Sequence, residues 1–180
     1  MLDVCLDLET MGTSTDSAIV AIGAIEFDMA AGKLGSSFYQ NIHLADSVKH
    51  GRQMDPATVL WWMSQSDEAR RALMYSAEPL VHVLDEFEAG LHCCAPWDQV
   101  RVWGNGPSFD NAMLASAYKS VGKRVPWKYV NDRCFRTISA LFPSITKDER
   151  KGTHHNALDD ATWQANHMIK IRQTLNARKA

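Results

Sequence analysis

The sequence predicts an α/β domain, a mixed sheet flanked by helices, and three observations point to it. Three apolar segments rich in strand-forming residues follow one another at the N-terminus; strand-like and helical segments alternate after residue 55; and no internal repeat or linker interrupts the 180 residues. A chain of this length with 46% hydrophobic residues can bury one sizeable core and is short for two, so residues 1–180 are read as one domain.

Residues 2–8 (LDVCLDL) read as a short apolar strand and residues 18–28 (AIVAIGAIEFD) as a second, rich in Val and Ile. Residues 35–42 (GSSFYQNI) supply a third after a turn at Ala31-Gly32-Lys33, and the uninterrupted order suggests an antiparallel meander. Asp55-Pro56 opens a helix through Met63, because proline is tolerated at the first helical position. A second helix runs from Pro79 to Leu91 with Leu80, Val83, Leu84 and Phe87 on one face. Residues 100–104 (VRVWG) return to strand, and Ser108 caps a helix to Val121. Residues 132–142 form a further helix ended by Pro143, and the tail from Asn156 to about Leu175 is helical.

Composition narrows the function classes. A net charge of −2 and a pI near 6.4 exclude the broad basic surface of proteins that coat duplex DNA, though an enzyme gripping one chain end touches few phosphates. Cys5, Cys93, Cys94 and Cys134 form no C-x-x-C pair and have no zinc-site spacing, so they read as reduced thiols. The first twenty residues carry Asp3, Asp7, Glu9 and Asp16 with no basic-then-apolar leader, and no stretch approaches a membrane span. The expectation is a cytoplasmic protein with no membrane partner.

Chemistry concentrates in carboxylates. Asp7 and Glu9 lie two residues apart on a strand, so both side chains leave the same face. Two carboxylates there call for a compensating cation, unless the strand simply ends in solvent. Asp110 follows a strand and the turn Asn105-Gly106-Pro107, at the head of a helix where the dipole also favours an acid. His155 precedes Asp160 by five residues, an azimuth difference of about 140° on a regular helix. The two converge only if His155 precedes the helix, which Gly152-Thr153 would allow.

In order, these segments resemble the motifs of the DEDD exonuclease superfamily, histidine subgroup (DEDDh). Asp7-Leu8-Glu9-Thr10 looks like its first motif, Phe109-Asp110 its second and His155 to Asp160 its third; Trp61-Trp62 and residues 103–110 (WGNGPSFD) look closest to an RNase T-like bacterial and phage branch. The resemblance implies an RNase H-like fold with a central mixed five-stranded sheet, and 3′-5′ hydrolysis of single-stranded DNA or RNA by two divalent ions, Mg²⁺ or Mn²⁺. Such ions suit hard oxygen donors and can neutralise charge on both the attacking and leaving oxygens. By resemblance Asp7 bridges both ions, Glu9 and Asp160 hold the one that binds the attacking water, and Asp110 supports the other. His155 is the implied general base, with adjacent His154 as rival, and Asp159 is read as a solvated acid at the helix head.

The resemblance also implies that Thr10, Met11 and Gly12 contact the terminal nucleoside, with Met11 as an apolar wedge or else a core filler. Phe109 is a candidate base contact or a core residue. Trp61 and Trp62 point about 100° apart on a helix, so either one, Trp61, is a candidate platform for a base, or both are tucked into opposite sides of a helix layer or a subunit interface. Lys147, Arg150 and Lys151 face either phosphates or solvent. Family members are often homodimers, which leaves a homodimer open, though nothing in the chain requires one. The rival readings are an RNase H-type endonuclease, an exonuclease for RNA ends only, and an idle nucleic-acid-binding module of the same fold.

Overall fold

The computed structural model describes residues 1–177. Six strands form one sheet: β1 (Leu2–Thr10), β2 (Ile19–Asp28), β3 (Lys33–Ile42), β4 (Ala77–Glu78), β5 (Val100–Gly104) and β6 (Asp132–Cys134), in the order β4-β3-β2-β1-β5-β6. The meander β1-β2-β3 is antiparallel, while β5 runs parallel to β1 and β6 parallel to β5. The expected mixed sheet is present with six strands in place of five. Four of the six are the strands read along the sequence; β4 and β6, of two and three residues, are too short to carry a period-2 signal.

The helices are α1 (Leu44–Lys49), α2 (Pro56–Met63), α3 (Asp67–Ala72), α4 (Leu80–His92), α5 (Asp110–Ser120), α6 (Phe135–Leu141) and α7 (Ala157–Ala177). Strand alternation splits the core in two. Val4, Leu6 and Leu8 of β1 pack with Leu80, Val83, Leu84 and Phe87 of α4 and with the inner face of α5. Cys5, on the opposite face, packs with Ala161, Ala165 and Met168 of α7. Asp7 and Glu9 therefore belong to the α7 side. No helix among the described residues is long and apolar enough to cross a membrane.

Three local expectations change. The helix over 132–142 gives its first three residues to β6, because Asp132 is fixed beside β5 by Asn111 Nδ2 (2.8 Å) and Trp127 Nε1 (2.7 Å), and the helix starts after Cys134. Ser108 does not cap α5: Phe109 occupies that position without a side-chain bond, and Phe109 and Asp110 N–H groups donate to the Gly106 carbonyl instead. Helices α1 and α3 escape prediction because six residues present no repeated apolar stripe.

Gly23 sets the depth at which α7 docks. A Cβ there would lie 2.2 Å from Ala157 C and Leu158 N, backbone atoms of the α7 N-terminus that cannot give way cheaply. Gly23 stands opposite Asp7 across the β1–β2 ladder, so this contact places the head of α7 over the first acidic pair. Gly23→Ala should cost about 3 kcal/mol by overpacking, read as a fall of roughly 10 °C in thermal unfolding. An unchanged melting temperature would show that α7 is not held there.

Candidate active site

Asp7, Glu9 and Asp160 converge. One carboxylate oxygen from each lies within 4.8 Å of the others, with Asp7 and Glu9 coming from β1 and Asp160 from the first turn of α7. Asp110 begins α5, buried beneath the turn at 105–107, and accepts a hydrogen bond from Gly106 N–H at 3.2 Å. It stays outside that close trio, yet its charge acts on both Asp7 and Glu9. Gly104 permits its approach, since a Cβ there would meet Asn111 Oδ1 at 2.4 Å and Asp110 Cβ at 3.0 Å.

Burial and mutual repulsion make this cluster hold protons. Glu9 is pushed from an ordinary 4.5 up to about 8 by burial and then by the charges of Asp160 and Asp110. Asp7 is held well above the usual carboxylate range by burial first, then by Asp110, Glu9 and Asp160. Asp110 rises to about 6 through burial, opposed by the Gly106, Asp110 and Asn105 N–H groups and by Arg136. Glu9 Oε1 is buried with no hydrogen-bond partner among the described residues. A buried acceptor without a donor, in a group of hard oxygen ligands, fits a divalent cation such as Mg²⁺ or Mn²⁺.

Two supporting residues have no place in the sequence reading. Gln164 Nε2 donates to Asp7 Oδ1 at 2.9 Å, while its carbonyl oxygen faces the Cys5 thiol at 3.9 Å. Burial keeps that thiol protonated, so it can donate and fix which end of the amide meets Asp7. Gln164 lies four residues after Asp160 on α7, a helical spacing that puts both on one face and was available in the sequence. The second is Arg52, a buried side chain whose guanidinium donates to the carbonyls of Ser17 and Thr15 and to Ser116 Oγ, tying the loop after the first motif to α5.

Arg150 pairs with Asp160, and its guanidinium carbon lies 4.4 Å from the centre of the Trp163 ring. Lys147 sits over the same ring at 5.2 Å, so neither is simply solvated. Arg150 supplies positive charge where a divalent ion would also bind. Arg150→Ala should tighten Mn²⁺ binding about fivefold in calorimetry by removing this competitor; weaker binding would mean that Arg150 organises the site.

His155 precedes α7, whose head is capped by Asn156 Oδ1 accepting from the Leu158 and Asp159 N–H groups at 3.1 and 3.2 Å. Its backbone is left-handed, φ 63°, which turns the ring back toward Asp160. His154 and His155 rings are 3.9 Å apart, and both lie within reach of Asp160. His155 is half-buried, its centroid 4.8 Å from that of Trp61, whereas His154 is exposed. Burial first, and then neighbouring His154, lowers the His155 pKa and keeps its imidazole neutral. Asp159 is not the solvated acid expected: its Oδ2 accepts from Thr153 N–H at 2.8 Å and closes the loop that presents the histidines.

Trp61 is 41% exposed and Trp62 is buried, the latter donating from Nε1 to the Thr10 carbonyl at 2.9 Å. Thr10 Oγ1 donates to Gly12 O at 2.7 Å, and a Cβ at Gly12 would stand 2.4 Å from Ser17 Oγ. Met11 lies between them, half-buried, on the wall of a cavity of about 630 Å³ that Trp62 also lines. Phe109 is half-buried and packs against the core on the α4–α5 side.

Residues 2–172 match the 3′-5′ exoribonuclease Rv2179c-like domain. The chain belongs to that family. By that family it is a 3′-5′ exonuclease. An exodeoxyribonuclease of Enterobacteria phage T4 is 26% identical over 166 residues, 78% of this chain and 72% of its own length. The nuclease domain of 3′hExo, a DEDDh family member solved with rAMP, shares the fold with TM-score 0.63 at 12% identity, over 96% of this chain and 92% of its own. The E. coli ExoI–ssDNA complex solved with zinc gives TM-score 0.64 at 17% identity, over 98% of this chain and 41% of its own. Within the Rv2179c-like family, then, the carboxylate cluster lies on a sheet shared with solved nucleases.

Proposed function

We propose that this exonuclease is divalent-metal-dependent and removes nucleoside monophosphates from the 3′ ends of single-stranded nucleic acid. The converging Asp7–Glu9–Asp160 trio with the buried, unpartnered Glu9 Oε1 carries the reading. Asp7, Glu9, Asp110 and Asp160 would hold two ions, which when bound supply Lewis-acid stabilisation of the phosphate and of the leaving 3′ oxygen. His155 accepts the proton of the attacking water at a ring nitrogen, as a neutral imidazole can. Gln164 orients Asp7, and Trp62 and Arg52 hold the strand end and loop that carry Thr10, Met11 and Gly12 to the terminal nucleoside. Trp61 offers an exposed ring beside His155 on which a base can stack, and Met11 an apolar edge to the neighbouring cavity.

The solved fold relatives include an ssDNA complex and a 3′-exonuclease described as recognising a histone mRNA stem-loop, which supports a nucleic-acid 3′ end as substrate. The family description favours RNA, while the phage T4 relative is named for DNA. A time course on 5′-labelled single-stranded DNA and RNA of one sequence, with Mg²⁺, with Mn²⁺ and with EDTA, tests the proposal. A ladder shortening from the 3′ end only with metal is expected, and the faster ladder names the sugar. Internal fragments would point to an endonuclease, and shortening in EDTA would remove the metal from the mechanism.

A further inference from the structure

Behind the carboxylates, at the far end of α5, the surface changes character. A cavity of about 620 Å³ has aromatic and aliphatic walls, Trp97, Trp127, Tyr129 and Val130 among them, with a rim of Lys119, Lys123, Arg124 and Lys128. Tyr129 is 83% exposed and Val130 56%, a cost in water that neither offsets by packing. Residues 119–133 contain five Lys or Arg and one acid, Asp132, in a chain whose net charge is −2. Asp132 is already engaged by Asn111 and Trp127.

The charges are arranged around the rings. The Arg124 guanidinium lies 3.6 Å from the centre of the Trp97 ring and Lys128 Nζ 5.0 Å from it. Lys123 pairs with Asp85, and Lys128 reaches Asp98 only at 3.7 Å. Lys119 and Arg124 form no ion pair among the described residues. Trp127 is buried and Arg124 covers the Trp97 face, so the exposed Tyr129 ring, with Arg124 and Lys128 held beside it, is what meets a flat base, and ring and cations together suit a polyanion that carries bases, the chemistry of a single-stranded nucleic acid. A polybasic rim without rings would suit phosphate alone, and an apolar patch without cations would suit a second protein surface.

We infer that this basic–aromatic pocket is a second binding site for the substrate strand, engaging bases and phosphates several nucleotides upstream of the 3′ end held at the carboxylates. The inference rests on the exonuclease reading above. Helix α5 links the two places: Asp110 is its first residue and Lys119 lies nine residues on, roughly 14 Å by helical rise. A mononucleotide in the active site cannot reach the pocket, whereas a 20-nucleotide strand can. The site would favour long strands over short ones and hold a strand between successive cleavages.

The test uses the whole protein and two probes. Binding of a 5′-fluorescein 20-mer, as oligo(dT) and as oligo(U), is measured by anisotropy in EDTA; turnover is measured with Mn²⁺ on the p-nitrophenyl ester of thymidine 5′-monophosphate. The double variant Arg124→Glu/Lys128→Glu, and separately Tyr129→Ala, should each bind the 20-mers about tenfold more weakly. The double variant should also flatten the slope of log affinity against log salt by about one unit or slightly more. Both should turn over the small ester at the wild-type rate and sediment at the wild-type mass. Tyr129→Ala removes an exposed ring, so it keeps the test open if the charge reversals unfold the chain. Unchanged 20-mer affinity would overturn the inference. A dimeric wild type with monomeric variants would overturn it too, by making the patch a subunit contact. A wild type that cleaves neither the ester nor a 3′ end would instead defeat the exonuclease reading, while 20-mer binding in EDTA still reports on the pocket.

Discussion

Asp7→Asn should abolish 3′-end shortening, on the order of a thousandfold or more, and at the same time raise the melting temperature of the metal-free protein at pH 8. Both effects have one cause. Asp7 is buried among Glu9, Asp110 and Asp160, and in the folded chain all of the first three hold protons more tightly than ordinary carboxylates do. A carboxyl whose folded pKa is raised favours the fold when protonated. That contribution is fully present below the unfolded value, 4.5 for Glu9, and is lost as pH climbs through about 8. In EDTA the wild type should therefore melt lower at pH 9 than at pH 5, by a few kcal/mol, or roughly 5–10 °C. Glu9→Gln should flatten that slope, because its amide never ionises. Added Mn²⁺ should restore most of the loss at pH 8 in the wild type and little in Asp7→Asn. If Asp7→Asn unfolds, or if the metal-free protein is equally stable across this range, the cluster is a structural network and not a cation site.

The same alternation that makes this cluster strained made it legible. In Leu2–Leu8 the even positions are apolar, and Asp3, Cys5 and Asp7 are odd; strand geometry alone then sends Asp7 and Glu9 to one face. The amphipathic stripe of α4 was equally plain, since Leu80, Val83, Leu84 and Phe87 repeat at helical spacing and all are buried. Azimuth separates His155 from Asp160 on a regular helix, so the sequence allows them to converge only if His155 precedes it; the helix starts at Ala157, and the left-handed turn at His155 brings the two together. What escaped was fixed by contacts distant in sequence. Strand β6 exists because Asn111 and Trp127 hold Asp132 beside β5, and three residues cannot announce a period. Gln164 looks like an ordinary polar surface residue until β1 and α7 are brought together, and the head of α7 can come that close only because position 23 has no Cβ. Asp159 differs from its expected solvated state for a similar reason: its partner is a backbone N–H in the loop, to which sequence gives no clue.

His155→Ala should lower kcat by a factor of about 10² to 10⁴, the range expected for removing a general base, with KM nearly unchanged. The neighbouring His154→Ala should lower it by about threefold at most. The two imidazoles are chemically identical and their rings are 3.9 Å apart, so position must separate them. His155 is the half-buried one, packed edge-on against Trp61 at 4.8 Å and Trp62 at 6.2 Å, with a pKa lowered by burial so that the ring nitrogen is free to accept a proton. It is also the residue held at φ 63°, a conformation that costs a non-glycine residue on the order of 1 kcal/mol or more and persists only when its surroundings impose it. The Thr153–Asp159 bond and the Asn156 N–H to Thr153 O bond at 3.1 Å do so. Replacement by alanine leaves a space between Trp61 and the carboxylates, so added imidazole should restore part of the lost kcat in His155→Ala and none in His154→Ala. Rescue separates proton transfer from positioning, because a ring that merely propped Trp61 in place would be replaced without any dependence on the free base concentration of the added imidazole. Equal losses in the two variants would defeat the assignment to His155, and rescue of His154→Ala instead would move the base one residue toward the N-terminus.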